Sequence, residues 1–558
     1  MKLTGAQILV QSLLEQGVDV LFGYPGGSVI NIYDALDEQR DKVRHILVSH
    51  EQGASHAADG YARSTGKTGV ALATSGPGAT NLVTGIATAY LDSVPMVAIT
   101  GNVTRPLLGR DSFQEVDIVG VTVPVTKHNF FVNDIDQLAD TVKKAFVIAN
   151  SGRPGPVLID IPKDITIQSA EYVPAGKFEE RPLLQPEETA LRDAAQLIEE
   201  SKKPFIYFGG GIVSSNANDA LLRLAKKMSA PMASTAMARA CVRYDEPLYL
   251  GMMGMHGTPV SNYAAAECDL LICVGARFSD RATGDKNKFA SHSKIIHIDI
   301  DVTELGKNIP TFLDVVGDAR LALEALEQCV AQQDHSAWLQ EIKQFAIEHP
   351  MPKEDDGDIA NPQDVLDAIY DVFGEEAIIV TDVGQHQMIT AQHYKFTQPR
   401  SFLSSCGLGT MGYGMGAANG AKVAHPERPV VLVTGDGCFH MNMNELAVSV
   451  TENLPIVVVI MNNGVLGMVR QWQNLFHGQR HSSTTLNRKT DYVKLAEAFG
   501  AEGLRIKNAA DIKPILQQAS QANGPVVVDC IIPKDEGAFP IIPPGKTMDD
   551  IIYDYSDI

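Results

Sequence analysis

Short apolar runs rich in β-branched residues recur along the chain and are bounded by Gly, Pro and Asp. Between them lie segments with helical periodicity, and this alternation is typical of an α/β protein with parallel sheets. We therefore predict α/β domains with central parallel sheets. The predicted strands are Val70 to Thr74, Met96 to Thr100, Val157 to Ile161, Leu270 to Val274, Ile295 to Ile300, Ile378 to Thr381, Val430 to Thr434, Ile456 to Met461 and Val526 to Cys530.

Two polar, proline-bearing stretches, near 165 to 190 and 347 to 362, lack apolar periodicity and are interpreted as domain linkers. A single core stops growing near roughly 250 to 300 residues, so 558 residues predict about three domains. We expect an N-terminal domain over 1–165, a central domain over 190–335, a C-terminal domain over 360–535 and a tail over 536–558. Near the start, Thr4 is the predicted cap of an amphipathic helix that buries Ile8, Leu9, Leu13 and Leu14.

The charge balance limits the possible partners. The formal net charge is -21, which is the wrong sign for a protein that follows a phosphate backbone, so we expect no nucleic acid partner. An anionic ligand would need a metal, helix N-termini or a few placed cations. Seven scattered cysteines without a C-x-x-C pair argue against a disulfide framework and favour the cytoplasm. We find no secretory signal and no apolar run of roughly 18 residues, so we expect no membrane association.

Several predicted strands end directly in glycine-rich or polar clusters. These are Ser75-Gly76-Pro77-Gly78, Gly101-Asn102, Gly275-Ala276-Arg277, Asp382-Val383-Gly384, Gly435-Asp436-Gly437 and Asn462-Asn463. Ligands bind beyond the carboxyl ends of strands in open parallel sheets, so all three domains have a candidate ligand edge.

The clusters Gly435-Asp436-Gly437 and Asn462-Asn463 flank one strand-helix-strand unit, so both should reach the same edge of the sheet. An Asp carboxylate, an amide oxygen and diphosphate oxygens would suit octahedral Mg²⁺. Alone, the first cluster would be a turn and the second a helix cap. Together, with 24 residues between Gly437 and Asn462, they match the metal and diphosphate signature of thiamine diphosphate enzymes.

Glu51 follows the apolar run Ile46-Leu47-Val48 in the first domain. By itself it would be a solvated carboxylate at a strand end. Thiamine chemistry needs a carboxylic acid at the aminopyrimidine ring, best with a pKa raised by an apolar pocket. Glu51 is our candidate for this acid, and because Asp436 lies in another domain, the site should form where domains meet.

The whole chain resembles the catalytic subunit of acetohydroxyacid synthase (acetolactate synthase). The motifs that carry the resemblance are Phe22 to Gly27, His50 to Gly53, Thr74 to Asn81, Phe113-Gln114-Glu115, Lys127-His128-Asn129, Arg153 to Pro156, Pro162-Lys163-Asp164, Met255-His256-Gly257, Gly275 to Phe278, Gly384-Gln385-His386, Gly409 to Gly414 and Gly467 to Trp472. The resemblance implies a thiamine diphosphate-binding fold for the first and third domains and a dinucleotide-binding-like middle domain.

The resemblance also implies roles for individual residues. It makes Glu51 the cofactor-activating acid, with Gly27, Phe113, Gln114 and Lys163 around the reacting centre. Asp436, Asn463 and the Val465 carbonyl would bind Mg²⁺. The residues expected at thiamine diphosphate, besides Glu51, are Tyr24, Pro25, Gly26, Val383, Gly384, Gln385, His386, Gly409, Met411, Gly435, Gly437 and Met468. Without the surrounding motifs, Met411 and Phe113 would be ordinary core and Lys163 a solvated cation.

The middle domain resembles the FAD-binding pattern of the biosynthetic members of the family. The residues implied at FAD are Arg153, Gly209, Gly210, Gly211, His256, Gly257, Gly275, Ala276, Arg277, Asp299 and Asp318. One segment departs from the family: Met237-Ala238-Arg239-Ala240-Cys241 stands where relatives usually carry a glycine-rich segment. Two glycines are lost and a cation is gained, so we expect altered contacts around the flavin ring.

The implied reaction decarboxylates pyruvate and joins the remaining two-carbon unit to pyruvate or 2-oxobutyrate, as in valine, leucine and isoleucine synthesis. Trp472 matches the position that favours the larger acceptor. A homodimer or homotetramer and a small regulatory subunit are further implications. The segment from Ile541 to Asp550 resembles a tail that folds over the active site; the alternative is a frayed terminus. Other readings are a pyruvate oxidase, a 2-oxo acid decarboxylase and a non-catalytic paralogue.

Overall fold

The computed structural model describes residues 1–179, 182–353 and 357–557. Within them, three six-stranded sheets have only parallel neighbours, and each sheet lies between helices. The prediction of three α/β domains with parallel sheets is confirmed. No helix in these described ranges is long and apolar enough to cross a membrane.

The first domain has the strand order β3-β2-β4-β5-β7-β6, and β1 pairs separately and antiparallel with β8. Its strands are β1 (Lys2–Thr4), β2 (Val20–Gly23), β3 (Arg44–Leu47), β4 (Gly69–Ala73), β5 (Met96–Asn102), β6 (His128–Phe131), β7 (Pro156–Pro162) and β8 (Ser169–Glu171). Its helices are α1 (Gly5–Glu15), α2 (Ile30–Asp37), α3 (Glu51–Thr65), α4 (Pro77–Asn81), α5 (Val83–Leu91), α6 (Ile118–Thr122), α7 (Leu138–Asn150) and α8 (Lys163–Ile167).

The middle domain has the strand order β11-β10-β9-β12-β13-β14. Its strands are β9 (Pro204–Phe208), β10 (Met232–Ser234), β11 (Tyr249–Met252), β12 (Leu270–Val274), β13 (Lys294–Asp299) and β14 (Leu313–Val316). Its helices are α9 (Glu188–Glu200), α10 (Gly210–Ser214), α11 (Asn218–Met228), α12 (Pro259–Glu267), α13 (Asp280–Thr283), α14 (Ala319–Cys329) and α15 (Ser336–Glu348). Counted along this domain, the order is 3-2-1-4-5-6, which is that of dinucleotide-binding folds.

The third domain has the strand order β16-β15-β17-β18-β20-β19. Its strands are β15 (Ile378–Thr381), β16 (Phe402–Leu403), β17 (Val430–Gly435), β18 (Ile456–Asn462), β19 (Glu502–Ile506) and β20 (Val526–Ile531). Its helices are α16 (Pro362–Phe373), α17 (Gln385–His393), α18 (Gly414–Ala424), α19 (Asp436–Asn442), α20 (Leu446–Thr451), α21 (Gly467–Phe476), α22 (Tyr492–Phe499) and α23 (Ile512–Ser520). The first and third domains share one strand order, 2-1-3-4-6-5 within each.

These orders determine where a ligand can bind. In an open parallel sheet the crevice lies at the point where the strand order reverses. The reversal falls between β2 and β4 in the first domain, β9 and β12 in the second and β15 and β17 in the third. Predicted glycine-rich or polar clusters lie at the ends of β4, β12, β15 and β17, whereas β2 and β9 are followed by the glycines of Tyr24 to Gly27 and Gly209 to Gly211.

Two helices join the first and third domains by close backbone packing. Helix α3 begins at Glu51 and crosses α18 at Gly60 and Gly420. A Cβ atom on Gly60 would overlap the backbone of Ala417, and one on Gly420 would overlap the backbone of Ala57. The absence of these two side chains therefore sets the separation of the helices and the position of Glu51.

The structure refines two sequence predictions. Thr4 caps α1 with a complete capping box and Ile8, Leu9 and Leu13 are buried, as predicted, whereas Leu14 is only half-buried. The stretch from 165 to 190 is not entirely a linker, because Ser169–Glu171 pairs with Lys2–Thr4. That stretch buries too few apolar side chains for its strand to be recognised. Residues 180, 181 and 354 to 356, which lie in the predicted linkers, are outside the described residues.

Candidate functional site

A cleft in the third domain lies at the carboxyl ends of β15, β17 and β18. It is lined by most of the residues predicted to bind thiamine diphosphate and metal there. They are Val383, Gly384, Gln385, His386, Met411, Gly435, Asp436, Gly437, Asn463, Val465 and Met468. The fold thus brings together segments that are separated by some 80 residues in the sequence.

Asp436 has a buried carboxyl group, and the nearby Arg488 guanidinium donates to its backbone carbonyl (3.2 Å) rather than forming an ion pair with the carboxylate. Asp436 begins α19 directly after β17, is 3 % exposed and forms no ion pair with any described residue. Burial raises its pKa to about 6. Asn463 follows β18 in the same cleft, and its side-chain oxygen accepts a hydrogen bond from the backbone N–H of Val465 (3.1 Å). A divalent cation would compensate the Asp436 charge.

The protein offers few charged ligands at this position. No group of three or more His, Cys, Asp or Glu side chains in the described part of the chain could hold a metal ion. Mg²⁺ commonly takes one or two carboxylates together with phosphate oxygens. Asp436, the Asn463 amide oxygen and the Val465 carbonyl therefore fit a metal whose other ligands come from a diphosphate.

The part of the cleft around Gln385 and His386 contains buried polar atoms without a hydrogen-bond partner. Nε2 of His386 is buried without a hydrogen-bond partner, and burial lowers the pKa of His386 to about 4, so the ring is neutral. A Cβ atom on Gly435 would lie 3.1 Å from Nδ1 of the same ring, so glycine keeps this edge open. Buried polar groups rarely stay unpaired, which makes His386 a fit for a polar ligand.

The first domain carries a second cluster around Glu51. Oε2 of Glu51 accepts a hydrogen bond from the Asn81 amide (2.9 Å), and its carboxyl is half-buried. A Cβ atom on Gly78 would lie 3.2 Å from Oε1, so Gly78 leaves that oxygen accessible. A Cβ atom on Gly76 would lie 2.9 Å from Gln114, which places Gln114 on the same edge.

The two clusters do not meet within the chain. None of the predicted catalytic residues lines the third-domain cleft; these are Gly27, Glu51, Phe113, Gln114 and Lys163. Tyr24 is 41 % exposed and Phe113 is 88 % exposed, unusual for aromatic side chains of a folded domain. The chain therefore presents two separate clusters of predicted site residues, which we call half-sites.

A cavity of about 1350 Å³ lies at the carboxyl ends of β9 and β12 and extends to the neighbouring domains. Nine of the residues predicted to bind FAD line it, together with Gly409, which was predicted at thiamine diphosphate. The nine are Arg153, Gly210, Gly211, His256, Gly275, Ala276, Arg277, Asp299 and Asp318.

The remaining two predicted FAD residues, Gly209 and Gly257, support the cavity wall. A Cβ atom on Gly209 would lie 2.5 Å from the Gly275 carbonyl oxygen, and one on Gly211 would lie 2.6 Å from the Gly275 Cα. These two glycine-rich turns touch each other directly and leave a smooth cradle for a diphosphate. A side chain on Gly257 would meet the backbone of Gly254 and Met252.

Several predicted FAD residues also have structural roles. Asp318 caps α14 by accepting hydrogen bonds from the backbone of Arg320 and Leu321. Arg153 forms ion pairs with Asp301 (3.4 Å) and Glu304 (3.0 Å). Burial raises the pKa of Asp299 and lowers that of His256 to about 4.

Arg239, the cation gained in the divergent segment, does not line the cavity, whereas Met237, Ala240 and Cys241 do. Its Nε donates to the Ala391 carbonyl (2.6 Å), and its guanidinium packs on the rings of Tyr249 and Phe396. The cation thus joins the middle domain to α17 and does not face the cavity.

Some residues at these sites were not predicted. Leu466 and Gly467 line the cleft, and the Cys438 thiol donates to the Val383 carbonyl (3.0 Å). Asp382 accepts from the backbone of Gly412 and Gly414 and from the Thr434 hydroxyl. Asp382 directly follows β15 and belongs to a predicted cluster, so its position after a strand could have identified it as a site residue.

Trp472 is half-buried on α21, where the predicted tail contacts the protein. It packs against a cluster of Met255, Leu475, Phe539 and Ile541, and the Arg281 guanidinium lies 5.4 Å from its ring centroid. Residues of the predicted tail therefore fold back onto the body of the protein next to this tryptophan.

Comparison with known families gives three matches in order along the chain. Residues 3–121 match the thiamine pyrophosphate enzyme N-terminal TPP binding domain, residues 191–326 the central domain and residues 382–530 the C-terminal TPP binding domain.

Curated proteins similar to the chain over almost its whole length carry one name. The "Acetolactate synthase large subunit" of Parasynechococcus marenigrum is 46% identical, covering 98% of this chain and 90% of that protein. The "Probable acetolactate synthase large subunit" of Methanocaldococcus jannaschii is 46% identical, covering 98% of this chain and 95% of that protein. The "Acetolactate synthase isozyme 2 large subunit" of Escherichia coli is 44% identical, covering 99% of both chains.

Proposed function

We propose that this chain, which belongs to the family of acetolactate synthase large subunits, decarboxylates pyruvate and joins the product to a second 2-oxo acid. The observation that carries the proposal is the third-domain cleft. There the buried Asp436 carboxyl, which forms no ion pair with a described residue, lies beside Asn463 and the unsatisfied His386. A diphosphate with its metal would supply the charge and the hydrogen bonds that this cleft lacks.

Thiamine diphosphate is the cofactor of the family, and Mg²⁺ is the metal that we propose with it. When bound, thiamine diphosphate accepts the electron pair released as pyruvate loses CO₂. Asp436, Asn463 and the Val465 carbonyl would hold the metal, while Gly384, Gln385 and His386 would contact the diphosphate. Met411 would support the cofactor from the side, together with Met468.

Glu51 would hold a proton against the aminopyrimidine ring. Asn81 fixes one of its oxygens at 2.9 Å, and the other is left to exchange a proton with a ring nitrogen. Gly26 and Gly27 would allow the chain to approach the ring, next to Tyr24 and Pro25. Phe113, Gln114 and Lys163 would surround the reacting carbonyl group and exclude water from it.

We further propose that the complete site forms between two copies of the chain. The half-site around Glu51 and the cleft around Asp436 would then face each other across a homodimer, and Phe113 would be covered. A tetramer would be a pair of such dimers.

FAD would occupy the middle cavity. Its diphosphate would lie on the glycine turns at Gly209 to Gly211 and Gly275, and its ribose and adenine would approach Asp299 and Asp318. The cradle between these turns, which has no side chain, supports this assignment.

The proposed substrates are pyruvate and, as alternative acceptor, 2-oxobutyrate, so the products would enter valine, leucine and isoleucine synthesis. A small regulatory subunit is the proposed partner, since the relatives are named large subunits. All seven cysteines are free, which supports a reducing cytoplasm.

The test is to incubate the purified protein with thiamine diphosphate, Mg²⁺, FAD and pyruvate and to identify the product. Acetolactate would support the proposal. Acetaldehyde would indicate a decarboxylase, and acetyl phosphate or oxygen consumption an oxidase. No product from the native protein, with Glu51→Gln as the matched blank, would indicate a non-catalytic paralogue.

A further inference from the structure

Gln471 connects two helices of the third domain, α17 and α21, with the C-terminal segment that follows this domain. It is 1 % exposed on α21, one residue before Trp472. Its Oε1 accepts hydrogen bonds from Nε2 of Gln385 (2.9 Å) and from the backbone N–H of Ala538 (3.0 Å). Its Nε2 donates to the Ala538 carbonyl (3.2 Å). One amide group thus contacts the cofactor-binding helix α17 and the C-terminal tail, residues 536–557.

Gln385 continues this network toward the cleft. Its Nε2 also donates to the backbone carbonyl of Glu536 (2.7 Å), so it contacts the tail directly as well. Its Oε1 is buried without a partner. A Cβ atom on Gly467 would meet this oxygen and would lie 3.1 Å from the Asn463 amide. Gln385 therefore reaches from the tail to the metal side of the cleft.

The tail continues from Ala538 onto the middle domain. Phe539 and Ile541 are buried with Met255 and Leu475, and the N–H of Ile542 donates to the Met255 carbonyl (2.8 Å). Docking of the tail therefore depends on an apolar contact at one end and on Gln471 at the other.

We propose that Gln471 is a positioning residue that couples docking of the tail to occupation of the diphosphate side of the cleft. Removing the tail would break the three hydrogen bonds that Gln471 and Gln385 form with its backbone at Glu536 and Ala538, which is unfavourable. An ordered Gln385 therefore favours a docked tail, and a docked tail favours the position of Gln385 that binds cofactor. Such coupling is reciprocal.

This inference rests on the proposed function, because it uses the thiamine diphosphate and Mg²⁺ assigned to the cleft. It is tested by hydrogen exchange of the tail amides in the full-length protein, with and without thiamine diphosphate and Mg²⁺. In the native protein we expect the cofactor to slow exchange at Ala538 and Ile541 by about tenfold, within the roughly 5- to 150-fold range of coupled sites. In Gln471→Met, which keeps the volume, we expect faster exchange and no response to the cofactor.

Gln473→Met is the matched control on the same helix. The Gln473 side chain bonds to Ser482 and Thr484 rather than to the tail, so the native response should persist. Gln471→Glu is the second variant: it can still accept from Gln385 and Ala538 but cannot donate to the Ala538 carbonyl, so an intermediate response is expected. A native response in both Gln471 variants would overturn the proposal.

Cofactor affinity separates this proposal from the assignment of the cleft. We expect deletion of residues 538–558 to weaken thiamine diphosphate binding by about fivefold in the native background and by less than twofold in Gln471→Met. Equal weakening in both backgrounds would contradict the coupling but leave the assigned site intact. A native protein that binds no thiamine diphosphate would overturn the proposed function itself and the coupling with it.

Discussion

At the scale of single residues, Trp472 is the side chain that we propose to select the acceptor. It is half-buried beside the tail and under the Arg281 guanidinium. We expect Trp472→Leu to lower the preference for 2-oxobutyrate over pyruvate by about tenfold, since one methylene in an apolar contact is worth about 1 to 3 kcal/mol. Acetolactate formation from pyruvate alone should be retained.

A competition assay with both acceptors measures this preference as a product ratio. Phe476→Leu is the control, because it removes the ring that packs edge-on against Trp472 and leaves the indole in place. If Trp472→Leu gives the native product ratio, the indole does not select the acceptor.

Glu445 is a second residue whose effect can be measured, although no sequence pattern indicated a role for it. Its carboxyl is buried beneath the start of α3, Oε2 has no partner, and a Cβ atom on Gly53 would overlap it. Burial, together with Glu51, raises its pKa from 4.5 to about 8. A neutral carboxyl group at this point avoids a second negative charge beside Glu51.

The pH dependence of stability follows from this raised pKa. Between pH 4.5 and about 8 the folded protein binds one more proton at Glu445 than the unfolded chain does. The contribution of Glu445 to the free energy of unfolding therefore falls as pH rises through this window, by up to about 1.4 kcal/mol per pH unit. The side chain introduced in the Glu445→Gln variant cannot ionise. The melting temperature of this variant should therefore match that of the native protein at about pH 5 and exceed it at about pH 8. The exposed Glu497→Gln is the control, and a parallel pH profile for Glu445→Gln would contradict the argument.

At the scale of elements, the crossing of α3 and α18 sets the position of Glu51. We expect Gly420→Ala to lower the free energy of unfolding by about 1 to 3 kcal/mol, because its methyl group would overlap the backbone of Ala57. The rate of acetolactate formation should fall as well, since α3 begins at Glu51. Thermal unfolding and initial rates measure the two effects.

Gly524→Ala is the matched control, since its nearest neighbour would be the Asn453 side chain at 3.7 Å. Native stability and rate in Gly420→Ala would mean that the helices can separate without consequence for Glu51.

Among the elements, the strands predicted from the sequence are ones that are buried on both faces of their sheet. All nine predicted strands are present within one or two residues, because continuous apolar runs are typical of central parallel strands. Edge strands such as His128–Phe131 and Glu502–Ile506 were missed, since they are half-exposed and carry polar residues. The buried central strands Val20–Gly23 and Pro204–Phe208 were missed as well, because each contains only one β-branched residue. The two-residue strand Phe402–Leu403 has too little pattern to be detected.

The residues of the candidate site also differ in whether the sequence could identify them. Residues directly after a central strand, such as Asp436 and Asn463, could be identified because the strand position fixes their location. Glu445 and Gln471 could not, because their surroundings come from helices and a tail far away in the sequence. Only tertiary packing shows that these side chains are buried and what they contact.

At the scale of the whole molecule, the separation of the two half-sites predicts complementation between inactive chains. Glu51→Gln disables the first-domain half-site, and Asp436→Asn disables the third-domain cleft, so each variant alone should be inactive. When the two are coexpressed in equal amounts, half of the dimers contain one chain of each kind. In such a dimer, one of the two sites receives an intact Glu51 and an intact Asp436 from different chains.

We therefore expect the coexpressed mixture to recover about a quarter of the native specific activity, because half of the dimers carry one working site out of two. A site formed within a single chain would recover none, since every chain carries one of the two lesions. Glu51→Gln coexpressed with Glu51→Ala is the control: both lesions lie in the same half-site, so no arrangement of chains restores it. Recovery with the first pair and none with the second requires that Glu51 of one chain acts on cofactor held by Asp436 of its partner.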